Sequence, residues 1–291
     1  MKNTKISNIL VTGGAGFVGS ALCKELVSQG HQVTCLDNYS NGSFDNHHAG
    51  VEYITGSCHG ISLYFHEGTK FDYIFHLGEY ARVEQSFDDY ETVMDYNYHS
   101  FPKVLEFANK SGAKIIYSGS STKFSVGEDG KYMSPYAYTK AQNTELLEAY
   151  ASWNNLEYAI VYFYNVYGDG EVTTGKYSTV IGKFINLMKA GNTTLPITSP
   201  GTQERNFTHI DDTVAGLILV MEWGSGDGWG IGNDTAYSLL DLAEMCGAIP
   251  SMKPEKAGNR MAGIVHNTML TALGWKPQVN LREYINEKLD I

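Results

Sequence analysis

The chain has 291 residues, of which 43% are hydrophobic and 18% are charged, so its composition is typical of a folded globular protein and not of a disordered one. The formal net charge of −11 argues against nucleic acid or an anionic membrane as the main partner. No apolar run is near the roughly eighteen residues of a membrane span, and residues 1–6 lead directly into the first predicted strand. We therefore expect a cytoplasmic protein without a signal peptide, with free cysteines and no bound metal.

The first predicted element is a short strand that ends in a glycine-rich turn. Residues 8–12 form an apolar run, and a helical pattern begins at Phe17. Between them, Gly13 would allow a tight turn, Gly16 would let the backbone approach a pyrophosphate, and Gly19 would let the helix pack closely. A strand, a glycine turn and a helix in this order predict a dinucleotide-binding site.

The second predicted strand covers residues 32–36 and is followed directly by Asp37. A carboxylate at this place can accept hydrogen bonds from an adenosine ribose, and it would repel a 2′-phosphate. Residues 38–42 contain no arginine or lysine that could bind such a phosphate. The sequence therefore favours NAD over NADP.

Strands and helices alternate in the pattern up to about residue 165. Apolar runs predict further strands over residues 51–54, 72–77, 114–117 and 158–163. Helical patterns are visible over residues 93–110, 136–152, 180–190 and 211–222. Because apolar strands alternate with helices, we expect an α/β fold with a doubly wound parallel sheet covered on both faces.

The regular alternation stops after residue 170, and residues 224–232 have the composition of turns. We expect an NAD-binding domain over residues 1–168, to which part of residues 205–235 returns. Residues 169–291 would mainly form a smaller, interleaved substrate-binding cap.

Tyr136 and Lys140 are the most informative pair of residues in the sequence. They are four residues apart on a predicted helix and share one face of it, so the charge of the lysine favours the phenolate. Ser134 can cap this helix and Pro135 suits its first turn, which places Tyr136 near the carboxyl edge of the sheet, where ligands bind. With Ser120 as a hydrogen-bonding partner, the pair can take a proton from a sugar or alcohol hydroxyl while NAD accepts a hydride.

These features and further matches resemble the extended short-chain dehydrogenase/reductase family, in its group of nucleotide-sugar epimerases and dehydratases, close to UDP-glucose 4-epimerase-like proteins. The further matches are His76-Leu77-Gly78, Asn97, Tyr164-Asn165-Val-Tyr-Gly168, Arg205-Asn-Phe207 with Asp211-Asp212, and Leu273-Gly-Trp-x-Pro277. The resemblance covers nearly the whole chain. It implies a Rossmann-type sheet, NAD as cofactor, a nucleoside-diphosphate sugar (a UDP-sugar favoured) as substrate, and a homodimer formed through the helices near 93–110 and 136–152.

The resemblance also assigns roles to individual residues. Ser120, Tyr136 and Lys140 would be the catalytic set, with Tyr136 as the base. Besides Tyr136 and Lys140, the implied cofactor-binding residues are Gly13, Gly16, Phe17, Val18, Gly19, Asp37, Asn38, Ser40, Asn41, Gly42, Ser57, Cys58, Leu77 and Gly78. Besides Ser120 and Tyr136, the implied substrate-binding residues are Ser121, Thr122, Asn165, Arg205 and Arg260. Arg205 would pair with the diphosphate, with Arg260 on its other side, a role that suits a planar, permanently charged guanidinium.

One departure from the family pattern reduces the number of reactions that we expect this chain to catalyse. Family dehydratases and decarboxylases carry an acidic residue one or two places after the catalytic hydroxyl, where this chain has Ser121 and Thr122. Neither residue is an acid or a base at neutral pH. We therefore expect an epimerase that acts at C4 of a UDP-hexose through a transient 4-keto sugar. The alternatives are a 4,6-dehydratase or a 4-keto reductase of the same family, or a non-catalytic protein that binds NAD or a nucleotide sugar.

Four other departures affect single contacts. Ser57 stands in place of the usual aspartate, so a contact with adenine would come from a hydroxyl at best. Tyr162 stands where an arginine is usual, and Asn206 where an aspartate is usual. Glu79 stands where small residues are common, near the expected nicotinamide edge. We expect it to be a solvated acid at a helix start, with a substrate contact as the alternative.

Overall fold

The computed structural model describes residues 5–124, 130–255 and 263–291 of the chain. Its strands, in chain order, are β1 (Asn8–Thr12), β2 (Gln32–Asp37), β3 (Val51–Thr55), β4 (Tyr73–His76), β5 (Lys114–Ser120), β6 (Tyr158–Phe163), β7 (Val166–Tyr167), β8 (Thr194–Thr198), β9 (Glu204–Asn206), β10 (Thr208–His209), β11 (Gly226–Ile231), β12 (Ala236–Ser238) and β13 (Ile249–Lys253). Seven of them form one parallel sheet in the order β11-β6-β5-β4-β1-β2-β3. The direction in which strands are added reverses at β1, which confirms the predicted doubly wound sheet.

The helices predicted from Phe17 and over residues 136–152, 180–190 and 211–222 are present, and the one predicted over 93–110 is interrupted. In chain order the helices are α1 (Phe17–Ser28), α2 (Tyr90–Val93), α3 (Phe101–Ser111), α4 (Pro135–Asn154), α5 (Val180–Lys189), α6 (Ile210–Trp223), α7 (Leu239–Met245), α8 (Thr268–Ala272) and α9 (Leu281–Leu289). Helices α7 and α8 were not predicted from the sequence. The helix predicted over 93–110 is divided, because a π-helical segment, Met94–His99, separates α2 from α3. Within the described ranges, no helix combines the length and the apolar character needed to cross a membrane.

Both faces of the sheet are buried, and β1 shows how the sequence achieves this. Successive side chains of a strand point to opposite faces. Ile9 and Val11 pack into the cluster that includes α1 and α6, whereas Leu10 packs into the cluster that includes α3 and α4. A continuous apolar run is therefore needed here, as is usual for a parallel strand with helices on both sides.

The stretch 224–232, predicted to form turns, contains the seventh strand of the sheet. β11 pairs with β6, and its register shifts between Gly226 and Trp229. A Cβ on Gly230 would lie only 2.2 Å from the carbonyl oxygen of His266, which accepts a hydrogen bond from the Gly230 amide. Glycine is required because a distant backbone segment crosses the strand at close range. A local composition pattern carries no sign of that contact, so the turn prediction is wrong.

The C-terminal part of the chain forms a separate apolar cluster around α5, α7 and α9, with short two-stranded sheets β7–β10, β9–β12 and β8–β13. Asp212 ties the tail to α6. Its carbonyl accepts from Trp275 Nε1 at 2.9 Å, and its carboxylate accepts from the amides of Gln278 and Val279 at 2.8 and 3.1 Å. The second aspartate of the Asp211-Asp212 match therefore has a structural role.

Candidate active site

The glycine turn between β1 and α1 is constrained by backbone contacts. Gly13 has a φ of +73°, and a Cβ there would lie 2.8 Å from the backbone of Gly78. A Cβ on Gly19 would lie 2.1 Å from the carbonyl oxygen of Gly13, so α1 can approach the turn only because this residue is glycine. Gly16 directly precedes the helix, where the free backbone amides of Phe17 and Val18 favour an anion.

Asp37 ends β2 and its carboxylate is held in place from both sides. Oδ2 accepts a hydrogen bond from the amide of Ala15 at 2.9 Å, and Oδ1 accepts from the amide of Tyr39 at 2.8 Å. A Cβ on Gly42 would lie 3.0 Å from Asp37 Oδ1. The carboxylate is thus fixed between the glycine turn and the loop that follows β2, and each oxygen keeps a lone pair for a further donor.

The other residues assigned to cofactor binding line the same edge of the sheet or lie beside it. Asn38, Ser40 and Asn41 are exposed in the loop after β2, where Asn38 Oδ1 accepts from the Ser40 amide at 3.0 Å. Ser57 Oγ accepts from the amide of His59 at 3.2 Å and so caps the short helix that follows. The hydroxyl expected to contact adenine thus has one of its lone pairs in use and keeps the other, with its proton, for a further contact. Leu77 and Gly78 follow β4, and the buried Cys58 thiol lies 3.8 Å from the Gly78 carbonyl.

Ser120 ends β5, and its hydroxyl oxygen is occupied as an acceptor. It accepts hydrogen bonds from Thr122 Oγ1 at 2.9 Å and from the Thr122 amide at 3.3 Å. Both residues are buried. Because these bonds use the lone pairs of Ser120, its own proton is left for another acceptor. Thr122, assigned to substrate binding, has its hydroxyl directed at Ser120.

Helix α4 begins as the sequence predicts and carries the tyrosine–lysine pair. Ser134 Oγ accepts from the amide of Ala137 at 3.1 Å and caps the helix, with Pro135 in its first turn. Tyr136 is half-buried, whereas Lys140 is 3% exposed. Lys140 Nζ donates to the carbonyl of Ser118, in β5, at 2.6 Å. The ammonium group is thereby anchored to the strand that ends in Ser120.

Glu79 is buried, so the prediction that it is a solvated acid is wrong. Its side chain is 1% exposed, and Oε2 lies 2.6 Å from Lys140 Nζ. Tyr117 donates to Oε2 at 3.1 Å and Asn143 Nδ2 donates to Oε1 at 2.8 Å, while His76 Nε2 lies 3.4 Å from Oε1. Burial alone raises the pKa of Glu79, but Lys140 and the hydrogen-bond donors outweigh it and hold that pKa below its ordinary value.

The contacts of Glu79 also identify site residues that the sequence analysis missed. Tyr117 and Asn143 were not assigned to the site, and His76 was noted only as a family match. Tyr117 lies in β5 and Asn143 one turn after Lys140 in α4. One signal was available, because Asn143 falls at i+3 from Lys140 and must share its helix face. Nothing local indicated that Glu79 would meet that face.

A pocket brings together three residues assigned to substrate binding, Ser121, Asn165 and Arg205. The described residues that line it are Ser121, Tyr164, Asn165, Glu204, Arg205, Asn206, Gly263 and Ile264. Asn165 has a φ of +40°, and its Nδ2 donates to the carbonyl of Asn206 at 2.9 Å. Arg260 lies outside the described residues.

Two of the family departures have structural partners. The Asn206 side chain donates to the carbonyls of Asn233 and Asp234 at 2.9 and 3.1 Å, and so links β9 to the turn before β12. The Tyr162 hydroxyl donates to Asp227 Oδ1 at 2.6 Å, which joins β6 to β11. Both side chains therefore make contacts that hold strands and turns of the fold together.

The cofactor side of the site fits a dinucleotide. The glycine turn leaves backbone amides open at the start of α1, Asp37 offers a fixed carboxylate, and Lys140 offers a buried ammonium. Gly16 has no side chain, and among the described residues a Cβ there would meet only the Gly13 carbonyl oxygen, at 3.3 Å. These groups suit, in turn, a pyrophosphate, an adenosine ribose and a nicotinamide ribose.

A protein-family model described as the NAD dependent epimerase/dehydratase family matches residues 9–232. The chain belongs to this family. NAD is therefore its cofactor, as the sequence predicted.

Relatives of this epimerase/dehydratase family member differ in the reactions that their names give. A UDP-N-acetyl-alpha-D-glucosaminuronate decarboxylase from Bacillus cytotoxicus is 30% identical over 81% of this chain and 78% of its own length. A UDP-glucose 4-epimerase from Mycolicibacterium smegmatis is 28% identical over 97% of each chain. The structure of a UDP-glucose 4-epimerase from Thermotoga maritima with UDP-glucose matches with a TM-score of 0.88, at 28% identity and 97% coverage of both chains. The chain is thus a nucleotide-sugar enzyme of this family, and the reaction has to be inferred from its own residues.

Proposed function

We propose that the protein is an NAD-dependent epimerase that inverts C4 of a nucleoside-diphosphate sugar, with a UDP-hexose as the favoured substrate. The observation that carries the proposal is the pair of hydroxyl residues, Ser121 and Thr122, at the two places after Ser120. Ser121 lines the pocket and Thr122 supports Ser120. Oxidation followed by reduction at one carbon needs one acid–base residue, whereas elimination of water needs a second.

In the proposed reaction, Tyr136 removes the proton of the C4 hydroxyl and later returns it. NAD, when bound, supplies the hydride acceptor and donor for C4. Lys140, held by Ser118 and Glu79, favours the phenolate form of Tyr136 and is available to a ribose hydroxyl. Ser120 keeps its proton for the substrate oxygen, because Thr122 occupies its lone pairs.

The substrate must turn over between oxidation and reduction so that the hydride returns to the other face of C4. Such a movement requires that the sugar be tethered elsewhere. Arg205 and Asn165 lie in one pocket with Ser121, and a guanidinium beside an amide suits a diphosphate. We propose that these residues hold the diphosphate while the sugar ring rotates.

A 4,6-dehydratase or a decarboxylase is the second candidate, since relatives include a decarboxylase. Among the residues that the structure describes, Glu79 is a carboxylate in contact with Lys140, but its side chain is 1% exposed and its oxygens face Lys140, Tyr117, Asn143 and His76. A carboxylate buried against these side chains is turned away from solvent and is not placed to exchange a proton with a substrate. Glu79 therefore supports the epimerase and not the elimination.

The test is incubation of the purified protein with a panel of nucleotide sugars, without added cofactor, and with the products read by NMR. We expect inversion at C4 with no net production of NADH. A stable keto sugar would identify a dehydratase. In a parallel incubation with added NADH, net NADH consumption would identify a reductase. Binding without turnover across the whole panel would indicate a non-catalytic protein.

Three further expectations from the sequence belong to this proposal. The division into an NAD-binding part, residues 1–168 with part of 205–235, and a cap, residues 169–291, would place the substrate between them. A homodimer would form through the helices near 93–110 and 136–152, and the protein would act in the cytoplasm. Size-exclusion chromatography with light scattering tests the dimer directly.

A further inference from the structure

Glu79 lies at the centre of a closed set of polar groups directly behind the tyrosine–lysine pair. It follows β4 by three residues, and its partners come from β4, β5 and α4. The side chains of Glu79, His76 and Lys140 are 1%, 0% and 4% exposed, and Tyr117 and Asn143 are buried as well. An ionised carboxylate is costly to bury unless its lone pairs are satisfied. Here the two oxygens face four nitrogen or hydroxyl groups.

The His76 ring lies between Thr12 and Glu79. Thr12 Oγ1 accepts a hydrogen bond from the Gly78 amide at 3.1 Å and lies 2.8 Å from His76 Nδ1. The other ring nitrogen, Nε2, is the one that faces Glu79, at 3.4 Å from Oε1. Lys140, whose Nζ lies 2.6 Å from Oε2, is the cation that balances the carboxylate charge.

This arrangement changes the field at Tyr136. A lysine four residues after a tyrosine favours the phenolate, but the Lys140 charge is shared with a carboxylate 2.6 Å away. The other titratable groups around the pair are Tyr117, whose pKa burial raises well above its ordinary value, and Cys58, whose pKa burial raises to about 12. Both are therefore neutral at working pH. Arg82 interacts electrostatically with Tyr136 from the segment after β4.

We propose that Glu79 is a positioning residue that fixes the Lys140 ammonium and partly cancels its charge, so that Tyr136 becomes active at a higher pH than it would without the carboxylate. The inference rests on the proposed acid–base role of Tyr136. Glu79 itself does not touch the substrate. It acts through Lys140, whose Nζ contacts both Glu79 Oε2 and the Ser118 carbonyl at 2.6 Å.

The decisive measurement is the ionisation of Tyr136 itself, independent of turnover. The protein is labelled with tyrosine carrying ¹³C at Cζ, and the Tyr136 signal is assigned by its loss in Tyr136→Phe. We expect the titration midpoint of that signal to move to lower pH by about one unit in Glu79→Gln, the scale of one nearby charge. Glu79→Asp keeps the charge and should keep the midpoint near that of the wild type.

Two controls separate charge from packing and from overall net charge. Glu79→Ala removes the charge together with the side chain and should give a shift in the same direction as Glu79→Gln. Glu91→Gln removes an exposed carboxylate on α2 and should leave the midpoint unchanged. Equal midpoints in the wild type and Glu79→Gln would overturn the inference, and so would failure of both uncharged variants to fold, since the role would then be structural.

The pH dependence of turnover gives a second readout. If the protein is an epimerase, the acidic limb of its pH–rate profile should move by the same amount in Glu79→Gln, whatever happens to the maximum rate. A purely structural role would lower the maximum and leave the limb in place. If no nucleotide sugar is epimerised by the wild type, the proposed function fails, while the Tyr136 titration still decides the role of Glu79.

Discussion

The two sides of the site are built in different ways. On the cofactor side, the side chains of Asp37 and Glu79 are buried. Asp37 is held by backbone amides of the glycine turn and of the loop after β2, and Glu79 by side chains from β4, β5 and α4. On the substrate side, Asn165 and Glu204 are exposed, and the pocket is lined by short strands and connecting segments. The charged groups of the cofactor side are therefore fixed in position by their partners. The substrate side is built from loops and short strands, the parts of a fold that tolerate changes of sequence most easily.

Two buried glutamates differ in what balances their charge. Glu79 is paired with Lys140, and its pKa is lowered. Glu171, in the segment between β7 and α5, is held by the Thr179 hydroxyl and the Gly168 amide, and burial raises its pKa above the ordinary value. A cation holds the first carboxylate ionised, whereas only neutral donors are recorded for the second.

The largest expected effect tests the cofactor side. Tyr136→Phe removes the only group proposed to carry the C4 proton, so turnover should fall by at least about 100-fold, the usual scale for a positioned acid–base residue. NAD binding, measured by isothermal titration calorimetry, should remain close to that of the wild type. Near-normal epimerisation by this variant would refute the assignment of Tyr136.

The next effect tests the substrate side alone. Arg205→Ala removes a charged hydrogen-bond donor to the diphosphate, so KM for the nucleotide sugar should rise roughly 10- to 100-fold, as expected for such a bond. The affinity for NAD should not change. Arg282→Ala is the matched control, because Arg282 is exposed on α9 and pairs with Glu244. If the affinity for NAD fell in Arg205→Ala, the cofactor side and the substrate side would not bind their ligands independently.

A third change tests how closely α1 must approach the glycine turn. A methyl group on Gly19 would lie 2.1 Å from the Gly13 carbonyl oxygen, so Gly19→Ala must displace the helix. We expect a loss of about 2 kcal/mol in the free energy of unfolding, measured by chemical denaturation, together with weaker NAD binding. Gly60→Ala is the comparison, since a Cβ there meets its nearest atom at 3.4 Å, an ordinary contact. Equal stability of the two variants would contradict this account.

The smallest effect concerns Glu171. Because its pKa is raised in the folded state, the folded chain binds more protons than the unfolded chain above the ordinary glutamate pKa. Its contribution therefore makes the protein less stable as the pH rises through that window, beginning at about pH 4. Glu171→Gln should show a weaker fall in melting temperature over this range than the wild type does. Parallel curves would show that Glu171 does not titrate abnormally.

Much of the cofactor side could be predicted because its signals are local. The glycine turn, Asp37 at the end of β2 and the Ser134 cap of α4 each lie within a few residues of the element they define. The exact partners of the buried charge could not be predicted. Glu79 meets groups from β5 and α4 that are far from it in the chain, and only the assembled sheet brings them together.

The substrate side could be inferred only by resemblance. Ser121, Asn165 and Arg205 come from three separate segments, and no periodicity or spacing connects them. The error at β11 has the same origin. Glycine is required at position 230 because the His266 backbone, from a distant part of the chain, passes close to it. The glycine gives the β11 segment the composition of a turn, although the segment is a strand.

The late position of β11 also has a consequence for synthesis of the protein. β6 is an almost entirely buried apolar strand, and its outer neighbour in the sheet is β11, which lies beyond the whole of α5 and α6 in the chain. While a ribosome is still making that stretch, β6 has an open edge of the kind that promotes association between chains. Completion of the sheet must wait for the second half of the polypeptide, so the nascent chain passes through a stage at which protection by a chaperone would matter most.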